Sequence, residues 1–243
     1  MLSQARPVAD AYPGCVQLLQ GDAMALPLPD ASFDAVVIAF GVLHLPKPEL
    51  ALAEAFRVLK PGGKVAFSVW DAPERSEGMR IMQQAIAEHG NPDASLPGAD
   101  ASGTPPLPFF HFASAENTMV ALTAVGFSEA SCTFERVPVA AALREEEELF
   151  GMFLTATART RALLEQQSPQ QLAAIKGQVA RELRERFKGT WIDGVCRQTG
   201  GSVPGCDAHM KDITTGVGPI VAVDGRRSII VPMPAVVAAA AKP

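Results

Sequence analysis

Apolar and polar positions fall in alternating blocks along the first third of the chain. Val16 to Gln20 is a short apolar run that ends at Gly21-Asp22. After the Pro29-Asp30 turn, Phe33 to Phe40 is a continuous apolar run, the pattern of a strand buried on both faces. From Pro48 to Lys60, Leu50, Ala53, Phe56, Val58 and Leu59 recur largely at helical spacing, and Pro61-Gly62-Gly63 closes that helix. Lys64 to Trp70 reads as the next strand. Strand, helix and strand with short links form the βαβ unit of a parallel sheet, with a right-handed crossover.

Beyond Asp71 the pattern changes. A helix is predicted over 76–89, then a loop rich in Pro, Gly, Ala and Asp from Gly90 to Pro108. Ser114 is placed to cap a helix that runs to Val125 and stops at Gly126. Phe127 to Val139 reads as a strand, and two helices follow, from about Glu145 to Gln166 and from Pro169 to Phe187. Residues 189–223 show no periodicity. Ser228 to Val231 and Ala235 to Ala241 are short apolar runs separated by Pro232 and Pro234. No internal repeat is visible.

Composition narrows the class. A chain of 243 residues, 48% hydrophobic and 19% charged, suits a soluble domain with or without a cap. A net charge of -5 and the lack of a basic run give no footprint for nucleic acid. The acidic run Glu145 to Glu148 reads as a solvated helix start. No signal peptide and no membrane-spanning run are evident, and the four cysteines lie far apart, so a reducing, cytoplasmic setting is expected. Cys196, Cys206 and His209 match no strong zinc spacing, and no metal is expected.

Three segments carry a family likeness: Gly21-Asp22-Ala23 after the first run, Leu26-Pro27-Leu28-Pro29-Asp30-Ala31-Ser32-Phe33-Asp34 before the second, and Arg57-Val58-Leu59-Lys60-Pro61-Gly62-Gly63-Lys64-Val65 before the third. In that order the chain resembles class I S-adenosylmethionine-dependent methyltransferases, in the branch of ubiquinone and menaquinone C-methyltransferases (methyltransferase type 11 domain). The resemblance covers roughly 1–188 and 224–243. It implies an α/β, Rossmann-like, doubly wound and mostly parallel sheet with an inserted helical lid, the last strand, Ala235 to Ala241, running antiparallel at the edge region. The implied division is a core of 1–71 and 224–243, lid helices with a late core helix and strand over 72–188, and an atypical insertion over 189–223.

The resemblance also implies S-adenosyl-L-methionine as cofactor. Asp22 and the Ala23 N–H would contact the adenine, Ala39 and Phe40 would lie along the methionine, and Gly41 would let the backbone come close. On the residues alone, ligands bind at the carboxyl edge of such a sheet, and Asp22 could equally cap its own turn. The family's first strand, with its glycine-rich loop, and its second strand, with a ribose-binding acid, would both precede residue 1. They would lie between the runs at Val16 and Phe33, so the sheet would lack its first two strands.

Methyl transfer needs alignment and exclusion of water, and a base only where the acceptor loses a proton. His44, following the second run, is the candidate base, or else a loop histidine that only packs near the site. Phe109, Phe110 and His111 are candidate substrate contacts in the lid, or else a hydrophobic cluster over the sheet. The expected function is methyl transfer to a small, apolar or aromatic molecule. The alternative is a catalytically inactive methyltransferase fragment, or a partner-binding module lacking the glycine loop. Oligomeric state is left open.

Overall fold

The computed structural model describes residues 2–91, 94, 107–188, 192–193 and 227–243. In chain order the elements are helix α1 (Leu2–Asp10), strand β1 (Phe33–Ala39), helix α2 (Pro48–Val58), strand β2 (Leu59–Trp70) and helix α3 (Glu77–His89). Next come helix α4 (Ala115–Ala124), strands β3 (Thr133–Val137) and β4 (Ala140–Leu143), and helices α5 (Glu148–Ala156), α6 (Ala158–Leu164) and α7 (Pro169–Arg186). Strands β5 (Ile192–Asp193), β6 (Arg227–Pro232) and β7 (Ala235–Ala241) follow.

The central sheet has the order β1-β2-β7-β3. β1 and β2 are parallel, with Val36 opposite Val65 and Ala39 opposite Ser68. β7 runs antiparallel between β2 and β3, pairing Lys64 with Ala241 and Thr133 with Ala239. The expected parallel pair and antiparallel last strand are therefore present in an α/β architecture, but that strand lies between β2 and β3 and not at the edge region. The core around this sheet draws on Leu52 of α2, Val65 and Phe67 of β2, Leu122 of α4, Phe127, and Val236 of β7, all buried. Each such apolar side chain contributes about 1.5–3 kcal/mol by leaving water.

A second core lies over α3, α5, α6 and α7 and includes Met82, Phe153, Ile175 and Leu183. Ile229 and Val231 of β6, paired with β4, pack into it as well. Trp70, the last residue of β2, touches both cores. α7 is set by a capping box: the Ser168 hydroxyl accepts from Gln171 N–H, and the Gln171 side chain accepts from Ser168 N–H.

Two local devices fix the edge that matters below. The Arg57 guanidinium grips both oxygens of Glu54 and donates to Asp30 and to the carbonyls of Leu26 and Leu28. Glu54 in turn accepts from Leu26 N–H at 2.7 Å, so α2 holds the loop of residues 26–30 against itself. At Gly63 an added Cβ would stand 2.9 Å from the Lys60 carbonyl oxygen and 3.1 Å from that of Asp34. Lys242 closes this corner through Gly62 N–H and the Gly63 carbonyl.

Several expectations are corrected. Val16 to Gln20 forms no strand, because among the described residues nothing lies alongside it to complete a ladder; Val16 and Leu19 are exposed. β1 is not buried on both faces: it has β2 on one side only among the described residues, and Val37 is 74% exposed. α2 ends at Val58 rather than at the Pro-Gly-Gly, which is taken into an irregular start of β2 where the register to β1 shifts. The helix expected over Glu145 to Gln166 is two helices broken at Thr157, and the strand expected over Phe127 to Val139 is shortened to β3 by a helical turn at Glu129–Ser131. Most of the loop from Gly90 to Pro108, and the segment 189–223 with Cys196, Cys206 and His209 apart from β5, lie outside the described residues.

Candidate functional site

The carboxyl end of β1 is built by a break in the strand. Phe40 adopts a left-handed conformation with φ 49°, which costs a β-carbon-bearing residue about 1–2 kcal/mol. Its N–H is held by both the backbone carbonyl and the hydroxyl of Ser68 on β2, at 3.2 and 3.1 Å. Its ring stacks against Trp70 with centroids 4.5 Å apart. At Gly41 an added Cβ would meet Ile38 Cγ2 at 2.9 Å, so no larger residue fits without a shift. The chain then makes one helical turn, Val42–His44, whose first two residues are buried in the central core. That anchors His44 beside the strand end.

His44 meets the lid there. Its ring stands edge-on to Phe109 at 6.1 Å between centroids. Arg159, at the start of α6, donates through Nη1 to the carbonyls of Leu43 and Leu107 at 3.2 and 3.3 Å. Its guanidinium lies 5.6 Å from the Phe109 centroid, a cation–π contact. Partial burial, and then the nearby Arg159 charge, hold the His44 imidazole below its ordinary value of 6.5, so it is neutral at pH 7. Burial lowers the Arg159 guanidinium from its ordinary value too, leaving it a cation.

Behind this junction is a cavity of about 120 Å³. Met79 and Met82 of α3, Phe153 of α5, Phe109 and Phe110 line it, and among the described residues Arg159 is its one charged lining residue. Phe109 and Phe110 pack edge to face, with centroids 4.9 Å apart.

The candidate residues thus fall into three places. His44, Phe109 and Phe110 come together at the junction of β1 and the lid. His111 does not join them: its ring packs on Phe112, and the Asn117 amide donates to its carbonyl, so it sits at the start of α4. Asp22 and Ala23 lie in an exposed turn just before the loop that α2 holds. One Asp22 oxygen accepts from Met24 N–H at 2.9 Å, the local turn contact expected of an aspartate there. The Ala23 N–H has no hydrogen-bond partner among the described residues. Asp22's other oxygen and that N–H are thus an acceptor and a donor in the same exposed turn. Arg159 is not singled out by the sequence, where an arginine near Arg161 on an amphipathic helix reads as a solvated charge.

Among the described residues no group of three or more His, Cys, Asp or Glu is arranged to hold a metal. No helix among them is long and apolar enough to cross a membrane.

Comparison with known proteins agrees with this frame. Residues 1–67 match the family model described as a methyltransferase domain. This segment includes α1, the Asp22 loop, β1, α2 and most of β2. The ubiquinone/menaquinone biosynthesis C-methyltransferase UbiE of Methylobacterium nodulans is 52% identical over 67 residues, 26% of this chain and 27% of that protein. The demethylmenaquinone methyltransferase of Thermus thermophilus is 45% identical over 75 residues, 31% of this chain and 34% of that one. The chain therefore spans about a quarter to a third of the length of these curated relatives. Among solved structures, the YcgJ protein of Bacillus subtilis superposes with a TM-score of 0.46 at 16% identity, over 100% of this chain and 78% of that one. The fold description rests on the chain's own sheet order.

Proposed function

We propose that the chain serves S-adenosylmethionine-dependent methyl transfer to a small, apolar or aromatic acceptor in the cytoplasm. The observation that carries this reading is the methyltransferase-domain match over residues 1–67, which holds both the Asp22 loop and the carboxyl end of β1. Asp22 and the Ala23 N–H hold the adenine, Ala39 and Phe40 lie along the methionine portion, and Gly41 keeps the backbone low enough for close approach. Bound there, S-adenosylmethionine supplies an electrophilic methyl group.

The remaining work belongs to the lid. Phe109 and Phe110 hold the acceptor against an apolar wall and keep water from it, which favours alignment of the two reactants. The relatives named above are a ubiquinone/menaquinone biosynthesis C-methyltransferase and a demethylmenaquinone methyltransferase, and methylation at a ring carbon releases a proton from that carbon. A neutral His44 beside the lid takes it, since a base held below its ordinary pKa is unprotonated at neutral pH.

Calorimetric titration of S-adenosylhomocysteine into the 243-residue chain tests the reading. Binding in the micromolar range is expected, and Asp22→Ala weakens it by about tenfold or more through loss of one charged hydrogen bond. An unaltered chain that takes up no S-adenosylhomocysteine overturns it.

A further inference from the structure

We infer that the cavity between α3, α5 and α6 is a binding site for a one-ring aromatic carboxylate, with Arg159 as the residue that recognises the acid group. As an account of the methyl acceptor this rests on the function proposed above; as a binding site it stands on the geometry alone.

Size comes first. An apolar cavity of about 150 Å³ holds a benzene molecule. The cavity here is about 120 Å³, and its mouth leaves room for a substituent. Its walls are mainly apolar, with Met79, Met82, Phe109, Phe110 and Phe153, and Gln83 and Thr160 add polar groups beside Arg159. A single ring matches the scale of such a space.

Charge comes next. Arg159 has no carboxylate partner among the described residues, unlike Arg57, Arg75 and Arg80, each of which is paired. Its Nη1 is taken up by two backbone carbonyls, Leu43 and Leu107, which fix the guanidinium plane. That leaves Nε–H and the adjacent Nη2–H, two parallel donors along one edge. This fork matches the two oxygens of a carboxylate and does not match a single hydroxyl. A cation placed in a half-buried apolar setting without a counter-ion is costly, and a ligand acid removes that cost. The Phe109 ring, stacked on the same guanidinium, sets the ligand ring beside the acid's partner.

Benzoate is the probe and benzamide its neutral isostere, each titrated into the full 243-residue chain with no cofactor present. Benzoate is expected to bind with a Kd of about 1 mM or tighter. Benzamide is expected to bind about tenfold more weakly, and 2-naphthoate no better than benzoate. In chain carrying methyl-labelled methionine, benzoate shifts the Met79 and Met82 methyl signals, assigned with Met79→Leu and Met82→Leu, which places it in the cavity. Arg159→Met lowers benzoate affinity by about tenfold or more and leaves benzamide unchanged, while Arg159→Lys keeps part of it.

Three results overturn the inference: no benzoate binding, equal affinity for benzoate and benzamide, or shifts confined to methionines outside the cavity. The first two need no variant, so they hold even if Arg159→Met fails to fold. Uptake of S-adenosylhomocysteine without benzoate removes this inference and leaves the proposed function. Uptake of benzoate without S-adenosylhomocysteine does the reverse.

Discussion

His44 and Arg159 carry opposite demands on one spot. Partial burial disfavours the charged imidazole, and the arginine, fixed by two carbonyls, adds to the same effect by raising the potential where the ring sits. Both favour the uncharged ring, the form that the proposed role as base needs at pH 7. Arg159→Met removes the coulombic part and leaves the burial, so the His44 pKa is expected to rise toward 6.5 without passing it. Proton NMR titration of the ring signals, assigned with His44→Gln, measures this. An unchanged or lower value in Arg159→Met would show that the two groups are not coupled. The Phe40 backbone makes a similar point on a smaller scale. A left-handed phenylalanine persists because Ser68 and Trp70 hold it, and it turns the chain into the helical turn that delivers His44.

Among the elements, α2 and the later part of β2 were most legible, because their apolar spacing leaves few alternatives, although Pro61-Gly62-Gly63 lies inside β2 and does not close α2. The role of Gly63 was only half visible. The sequence marks a turn, whereas the structure shows backbone oxygens of Lys60 and Asp34 crowding the space a side chain would need. Gly63→Ala is therefore expected to destabilise the fold by about 2 kcal/mol, since backbone cannot yield as a flexible side chain can. Urea unfolding measures it, and a change under a few tenths of a kcal/mol would mean the corner relaxes freely. Other elements were hidden for physical reasons. An apolar run such as Val16 to Gln20 has strand composition, but a strand exists only with a neighbour to share its hydrogen bonds. The break between α5 and α6 has neither Gly nor Pro; Thr157 makes it, its hydroxyl bonded back to the Phe153 carbonyl. That break starts α6 where Arg159 can reach Leu43. The site's charged member was unreadable for that reason, while His44, Phe109 and Phe110 stood out by type and position.

At the scale of the whole molecule, acid is the condition under which the site and the scaffold weaken together. Asp71, at the carboxyl end of β2, is fully buried. Burial alone would raise its pKa, but paired hydrogen bonds from Arg75, one from Ala72 N–H and the charge of Arg136 outweigh it and hold the carboxyl below its ordinary value. Glu77 is held down by Arg80 and Glu54 by Arg57. A carboxylate whose folded pKa is depressed contributes stability that is complete above the unfolded value, about 4, and is lost as pH falls through the folded one. His44 adds a separate, shallower term of the same sign. Its folded pKa is also depressed, so below about pH 6.5 the unfolded chain binds the extra proton and stability begins to decline. Unfolding free energy measured from neutral pH to about pH 3 is thus expected to fall in two stages, a gentle one beginning near 6.5 and a steep one below about 4. His44→Gln should erase the first and spare the second. Asp71→Asn should lower stability at neutral pH and flatten the second, because the neutral amide no longer loses anything to acid. A single acid transition that neither variant alters would mean that the salt links of the sheet edge and the histidine of the site do not govern the folding equilibrium.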